Sequence, residues 1–128
     1  MSFLIDTHVL VWWFRNDPRL SERARTTISS SEAPIIVSSV SAFEIATKVR
    51  LGKFEEARVI EANFRELVDA EEFDVLPVTA THALLAGRLN ADHRDPFDRL
   101  LAAQARVERL VFITRDPAFA GFGVETLW

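Results

Sequence analysis

The chain has 128 residues, the usual size of one domain, and we expect a single domain over residues 1–128. Its hydrophobic content of 48% is enough for a buried core, and the absence of cysteine excludes disulfides and thiolate metal sites. A net charge of −4 argues against a nucleic-acid reader with a broadly basic face, although acids that bind a cation would weaken this argument. No apolar run reaches the ~18 residues that span a bilayer, and the N-terminal segment lacks a signal-peptide pattern. We therefore expect a cytoplasmic protein without membrane contact.

The first half of the chain alternates short apolar runs with helical segments. FLI predicts a strand that ends at Asp6, and THVLVWWFR after it is compatible with a helix. Asp17-Pro18 interrupts this segment, and SERARTTIS predicts a second helix. PIIVS is rich in β-branched residues and predicts a buried strand. The next helix is predicted to begin at Ser41 and to end near Leu51, with Gly52 as the glycine just beyond its end.

The same alternation continues to the end of the chain. Ile60, Phe64, Leu67 and Val68 have the spacing of an amphipathic helix. FDVLPV predicts a third strand, and Thr79 is the expected cap of the helix ATHALLAGRL. A further helix is predicted from about Pro96 to Glu108, LVFIT predicts a strand, and VETLW is a candidate edge strand. This pattern predicts an α/β sandwich with a mainly parallel sheet.

Four acidic residues follow or flank the predicted strands at corresponding places. Asp6 directly follows the first strand, and Glu44 lies in the predicted first turn of the helix after PIIVS. Asp98 lies in the first turn of the helix before LVFIT, and Asp116 follows LVFIT by two residues. Open parallel sheets bind ligands at the carboxyl ends of their strands. We therefore expect these four carboxylates to converge at one edge of the sheet.

Each acid also has a purely structural explanation. Ser41 and Glu44 match the S-x-x-E pattern of a capping box, so Glu44 alone is equally well explained as a helix cap. Asp95 before Pro96 is typical of a helix N-cap, and Asp98 at the third helical position interacts favourably with the helix dipole. Asp116-Pro117 is a common turn opening. Asp6 is the hardest to explain in this way, because a carboxylate among apolar segments is costly to bury without a partner.

Taken together, the four acids favour a metal site. Crowded carboxylates repel one another unless some take up protons or a cation lies between them. Mg²⁺ and Mn²⁺ prefer oxygen ligands. A cation held in this way can activate water and stabilise charge on a phosphoryl group, which is the chemistry of phosphodiester hydrolysis.

Four motifs resemble those of PIN-domain ribonucleases, specifically toxins of the VapBC toxin–antitoxin type. They are FLIDTHVLVWW, SSVSAFEIATKVRLGKF, DPFDRLLAAQA and VFITRDPAF, which together span residues 3–119 in a distinctive order. The resemblance implies a three-layer α/β/α sandwich with a mainly parallel central sheet and an endoribonuclease that depends on Mg²⁺ or Mn²⁺. It places the metal ligands, which are also the catalytic residues, at Asp6, Glu44, Asp98 and Asp116.

The resemblance also implies partners and secondary site residues. Asp98 is preferred to Asp95 because the family's aspartate directly precedes a helix of the DRLLAAQA kind, which leaves Asp95 as the N-cap and a secondary candidate. Thr114 is a candidate for positioning water or phosphate, and His8 for contact with RNA, although both are also common structural residues at such places. The implied partners are an RNA substrate, a cognate antitoxin and a second copy of the chain in a homodimer.

One other interpretation of the sequence is excluded and one stays open. A receiver-like phosphoryl-transfer domain is excluded, because that pattern needs adjacent acids after the first strand and a lysine after the last. A catalytically inactive PIN-like module that only binds protein or RNA stays an alternative. His82 and His93 have no partner at a zinc-ligand spacing. Several arginines are candidates to hold an RNA backbone: Arg15, Arg50, Arg94, Arg99 and Arg115.

Overall fold

The computed structural model describes all 128 residues, as five β-strands and seven α-helices. The strands are β1 (Phe3–Ile5), β2 (Ile35–Ser38), β3 (Asp74–Leu76), β4 (Val111–Ile113) and β5 (Thr126–Leu127). The helices are α1 (Thr7–Arg15), α2 (Glu22–Ser30), α3 (Ser39–Arg50), α4 (Arg58–Ala62), α5 (Phe64–Ala70), α6 (Ala80–Arg88) and α7 (Pro96–Val107). Short 3-10 helices cover Glu55–Ala57 and Pro117–Phe122. None of the helices has the length and apolar character needed to cross a membrane.

The strands form one parallel sheet in the order β3-β2-β1-β4-β5. The chain moves outward from β1 through β2 to β3 and then returns to β4 on the other side of β1. The strand order therefore reverses between β1 and β4, whose last residues, Ile5 and Ile113, are paired. Such a reversal opens a crevice at the carboxyl ends of the two strands. β5 lies at the edge of the sheet, as predicted for VETLW.

Helices cover both faces of the sheet. Successive strand residues point to opposite faces, so each strand contributes side chains to two apolar clusters. Phe3 and Ile5 of β1 belong to a cluster of 20 buried apolar residues with α1 to α5. Leu4 between them belongs to a second cluster of 10 buried residues with α7 and the segment after α6. The predicted three-layer α/β/α sandwich with a parallel central sheet is confirmed.

Helix α3 begins two residues earlier than predicted. Ser38 has extended backbone angles, and its hydroxyl accepts the N–H of Val40 at 2.9 Å. Ser41 Oγ instead forms a 2.9 Å hydrogen bond with Thr7 Oγ1. The prediction of a helix start at Ser41 is therefore wrong, and so is a capping box formed by Ser41 and Glu44. Since the helix begins at Ser39, Glu44 lies in its second turn.

The end of α3 agrees with the prediction. Gly52 has a φ of 71°, which an L side chain rarely adopts, and donates its N–H to Val49 O at 3.0 Å. The N–H of Lys53 reaches back to Lys48 O at 2.8 Å. These two bonds form a Schellman motif, which satisfies the last carbonyl groups of the helix.

The amphipathic segment after α3 is not one continuous helix. Asn63, with a φ of −123°, separates α4 from α5, and its side chain donates to Val59 O at 2.8 Å. Ile60 and Val68 are nevertheless buried against the core, and Phe64 and Leu67 pack partly against it. The apolar spacing thus predicted the buried face correctly, while the local competition of Asn63 for a backbone carbonyl broke the helix.

A polar network is buried between β2 and helices α6 and α7. Gln104 Oε1 accepts a hydrogen bond from Ser38 Oγ, and Gln104 Nε2 donates to Pro77 O at 3.3 Å. His82, fully buried, accepts the N–H of Thr79 at its Nδ1 atom, which forms the capping box of α6. We call Ser38, His82 and Gln104 the interior network. Its side chains join β2 to α6 and α7.

Candidate active site

Asp6 lies at the reversal of strand order, where β1 ends and α1 begins. Its Oδ1 atom accepts the N–H of Thr7 at 2.8 Å, and its Oδ2 atom accepts the hydroxyl of Thr114, beyond β4, at 2.7 Å. The residue is 8% exposed. Burial raises the pKa of Asp6 to about 7, and the negative charges of Asp98 and Glu44 act in the same direction, against the hydrogen bond from Thr114.

Asp98 and Asp95 divide two tasks at the start of α7. Asp95 is the N-cap, because its Oδ1 accepts the N–H of Phe97 at 2.8 Å and that of Asp98 at 3.3 Å. Asp98 Oδ2 lies 2.6 Å from Nε2 of His93, and its Oδ1 has no hydrogen-bond partner in the protein. Burial raises the pKa of Asp98 to about 6, although the bond to His93 opposes the rise.

Glu44 reaches the site from α3, the helix that follows β2. Its side chain is buried, with 3% of the residue exposed, and its Oε2 pairs with the ammonium of Lys48 one helical turn later. The other carboxylate oxygen, Oε1, has no partner in the protein. Lys48 therefore neutralises part of the charge without occupying both oxygens.

Asp116 is the most exposed of the four acids. It caps the 3-10 helix Pro117–Phe122 through its Oδ1, which accepts the N–H of Ala118 at 2.9 Å. The N–H of Asp116 donates to Thr114 Oγ1 at 3.0 Å, and the same hydroxyl donates to Asp6. Thr114 thus connects the backbone at Asp116 to the carboxylate of Asp6.

The four acids line one cleft of about 360 Å³. We call it the acidic cleft. Its other lining residues are His8, Val9, Trp12, Lys48, Asp95, Arg115 and Pro117. The structure therefore brings together all the acids predicted to converge, and it adds His8 and Asp95. Thr114 does not line the cleft but holds Asp6 from the protein side.

The donor chemistry of the acidic cleft suits a hard divalent cation. Its carboxylates supply oxygen ligands, and burial raises the pKa values of two of them, Asp6 and Asp98. As the side chains are placed, no three acidic or histidine side chains are close enough to ligate one ion directly.

The roles of two supporting residues were not predicted from the sequence. His93 pairs with Asp98. The only sequence signal for this pair was the position of His93, five residues before Asp98 and on the other side of Pro96. Arg99 was expected as a candidate RNA contact, but its side chain is used by the protein. Its guanidinium donates to the carbonyl oxygens of Ala86, Leu89, Ala91 and His93 at 2.9, 2.5, 3.2 and 2.9 Å. Arg99 therefore holds the segment that carries His93 rather than facing a ligand.

The sequence matches the PIN domain family over residues 3–124. The chain belongs to the PIN-domain family. No match was found among the curated proteins. The family match agrees with the fold and with the motifs in the sequence, since it spans every strand up to β4 and all four acids of the cleft.

Solved structures of toxin–antitoxin systems share this PIN fold. FitAcB from Neisseria gonorrhoeae is 20% identical, with 98% of this chain and 96% of that chain covered and a TM-score of 0.73. VapBC2 from Rickettsia felis, bound to a DNA fragment from its promoter, is 14% identical, with 99% and 98% covered and a TM-score of 0.72. A toxin–antitoxin complex from Klebsiella pneumoniae is 18% identical, with 98% and 95% covered and a TM-score of 0.63. At these identities the similarity establishes the fold.

Proposed function

We propose that this PIN domain is an endoribonuclease that depends on Mg²⁺ or Mn²⁺ and acts as the toxin of a toxin–antitoxin pair. The observation that carries the proposal is the acidic cleft, where Asp6, Glu44, Asp98 and Asp116 meet from distant parts of the sequence. PIN domains are generally nucleases and typically use divalent metal ions. The similarity to toxin–antitoxin structures supports the toxin role.

Asp6 and Asp98 are the main ligands in this proposal, with Glu44 and Asp116 completing the set directly or through water. Three of the four have a side chain that orients the carboxylate. Thr114 orients Asp6, His93 orients Asp98 and leaves its Oδ1 free, and Lys48 leaves Oε1 of Glu44 free. A bound cation supplies charge stabilisation at the phosphate and lowers the pKa of water. Asp6 caps α1 and Asp116 caps the 3-10 helix Pro117–Phe122, so these two carboxylates lie at helix N-termini.

The same proposal includes a cognate antitoxin, a homodimer and a cytoplasmic location. All three depend on the toxin assignment, which the family resemblance and the toxin–antitoxin structures support. The alternative, an inactive PIN-like module, has one observation in its favour: no three side chains form a direct metal set as placed. A cleavage assay separates the two.

The test is incubation of the purified protein, free of antitoxin, with cellular RNA in Mg²⁺, Mn²⁺ or EDTA. We expect discrete cleavage products with metal and none with EDTA. Asp6→Asn and Asp98→Asn should lower the rate by at least about a hundred-fold while the protein stays folded. Asp69→Asn, an exposed acid on α5 that does not line the cleft, is the matched control and should cleave like wild type.

Three results would contradict the proposal. Full activity of Asp6→Asn or Asp98→Asn would show that the ligand assignment is wrong. Cleavage that persists in EDTA would exclude the metal requirement. A folded wild-type protein that neither binds Mg²⁺ by calorimetry nor cleaves any RNA would establish the inactive module instead.

A further inference from the structure

The acidic cleft contains one cation that has no acidic partner. Of its two basic side chains, Lys48 is paired with Glu44, whereas Arg115 forms no salt bridge and no side-chain hydrogen bond. Nearby Arg19 is held by Asp17 at 2.8 Å and by Glu56 at 2.7 Å. Arg115 is therefore the free positive charge at the edge of a cleft whose other charges are mostly negative.

Arg115 is exposed and lies over an aromatic ring. Its guanidinium carbon lies 5.8 Å from the centroid of the Trp12 ring, in the range of a cation–π contact. In the chain it stands between Thr114 and Asp116, whose backbone and hydroxyl bonds connect to Asp6. An arginine stacked on an aromatic ring keeps its N–H donors available for two-point contact with a phosphate.

His8 presents an aromatic ring to the same cleft. It is the exposed residue in the first turns of α1, where Thr7, Val9 and Leu10 are buried. Its ring packs on Phe54 with centroids 5.1 Å apart and an angle of 34°, and it contacts Trp12 at 6.1 Å. Neither ring nitrogen has a hydrogen-bond partner in the protein. The ring is thus supported from the protein side and open on the side of the cleft.

We propose that Arg115 and His8 form a subsite for an unpaired nucleotide of the RNA, in which Arg115 contacts a phosphate and His8 stacks on the base. This inference rests on the proposed function, because it assigns the substrate contacts of the same cleft. A stacking ring needs a base that is not in a duplex, so the subsite selects single-stranded RNA. Stacking is tolerant of base identity, so this subsite contributes affinity and does not read the sequence.

The test measures binding of a fluorescent, unstructured RNA oligonucleotide by anisotropy, with Ca²⁺ present and a gel check that the RNA stays intact. Kd is measured over a series of salt concentrations. Arg115→Ala should weaken binding and lower the slope of log Kd against log salt by about 0.7, the value for one lost phosphate contact on a single strand. Arg115→Lys should keep most of the slope. Arg88→Ala, an exposed arginine on α6 outside the cleft, is the matched control and should keep both.

His8 is tested in the same titration. His8→Ala should weaken binding on the order of ten-fold with the salt slope unchanged, because stacking is not an ionic contact. His8→Phe should restore affinity, because a phenyl ring also stacks on a base. A duplex of the same sequence should bind more weakly than the single strand.

The outcomes for the subsite and for the nuclease are separable. If Arg115→Ala had the same salt slope as the control Arg88→Ala, the phosphate contact would be overturned. If His8→Ala bound RNA with wild-type affinity, the stacking contact would be overturned. Failure of wild type to bind the single strand at all would overturn both. If wild type binds with these variant effects but does not cleave in any metal, the subsite stands and the nuclease proposal fails.

Discussion

The acidic cleft and the interior network both bring polar side chains together from distant parts of the chain, yet they differ in how these side chains are paired. In the interior network, each group of Gln104 meets a complementary group: Ser38 donates to it, and Pro77 O accepts from it. In the acidic cleft, burial raises the pKa values of Asp6 and Asp98, and neighbouring negative charges act in the same direction. Helix α7 contributes to both, through Gln104 and Asp98.

This difference separates a structural role from a functional one. A satisfied buried network favours the folded state, because breaking it leaves donors or acceptors without partners. Carboxylates whose pKa values burial has raised cost stability when they are ionised, and such groups cluster at functional sites. We therefore expect substitutions at the two places to change stability in opposite directions.

Asp6→Asn should give the largest effect, an increase in the free energy of unfolding at pH 8 in EDTA. The unfolded chain releases the proton of Asp6 near pH 3.8, while the folded protein holds it up to about pH 7. Wild type therefore loses stability as pH rises from about 4 to 7, by up to about 4 kcal/mol from this group. Urea unfolding between pH 4 and 8 measures this, and the loss should largely disappear in the variant. Asp98, with a pKa raised to about 6, adds a smaller loss of the same sign.

Asp69→Asn is the control for this pH dependence, because the residue is exposed and lies outside the cleft. It should keep the wild-type decline. If the free energy of unfolding of Asp6→Asn fell with pH as steeply as that of Asp69→Asn, the burial of Asp6 would not be destabilising. The contrast between the two regions would then fail.

Gln104→Leu should lower the free energy of unfolding by about 3 kcal/mol at pH 7. Leucine nearly fills the same volume but leaves the Ser38 hydroxyl without its acceptor and Pro77 O without its donor. Urea unfolding measures the change. Adding Ser38→Ala to the variant should recover part of the loss, since the orphaned hydroxyl is then gone. If Gln104→Leu alone were as stable as wild type, the network would not be what holds β2 to α7.

Arg99→Lys should lower the free energy of unfolding by about 2 kcal/mol. A lysine ammonium cannot reproduce the fork of N–H donors that reaches Ala86 O, Leu89 O and His93 O. The same change should lower RNA cleavage, because the segment that carries His93 is released beside Asp98. Urea unfolding and the cleavage assay measure the two effects, with Arg88→Lys as the control. A loss of cleavage without a loss of stability would instead place Arg99 in contact with RNA.

Ser41→Ala should have the smallest effect, about 1 kcal/mol of lost stability. It removes the hydrogen bond to Thr7 but leaves the cap of α3 at Ser38 intact. Thermal unfolding by circular dichroism should show no loss of helix content. A drop in helix content would mean that Ser41, not Ser38, caps the helix.

Much of the fold was predictable from the sequence, because its signals act over a few residues. The strand and helix alternation, the N-cap Asp95 before Pro96, the cap Thr79 and the αL residue Gly52 depend on local backbone geometry, and the structure confirms each of them. The meeting of the four acids at one cleft was also predictable, because parallel strands align their carboxyl ends. Their roles as metal ligands stay a prediction.

The tertiary structure decided the features in which local signals compete or distant groups meet. Ser38 and Ser41 both suit a helix cap, and the choice followed from Gln104 and Thr7, which lie 66 and 34 residues away along the chain. The raised pKa of Asp6 depends on burial and on charges from other elements, which spacing alone does not supply. The sequence by itself thus determined which acids come to the cleft. The packing of the helices on the sheet determined the raised pKa values of Asp6 and Asp98, the side chains that orient the acids and the free Arg115 beside them.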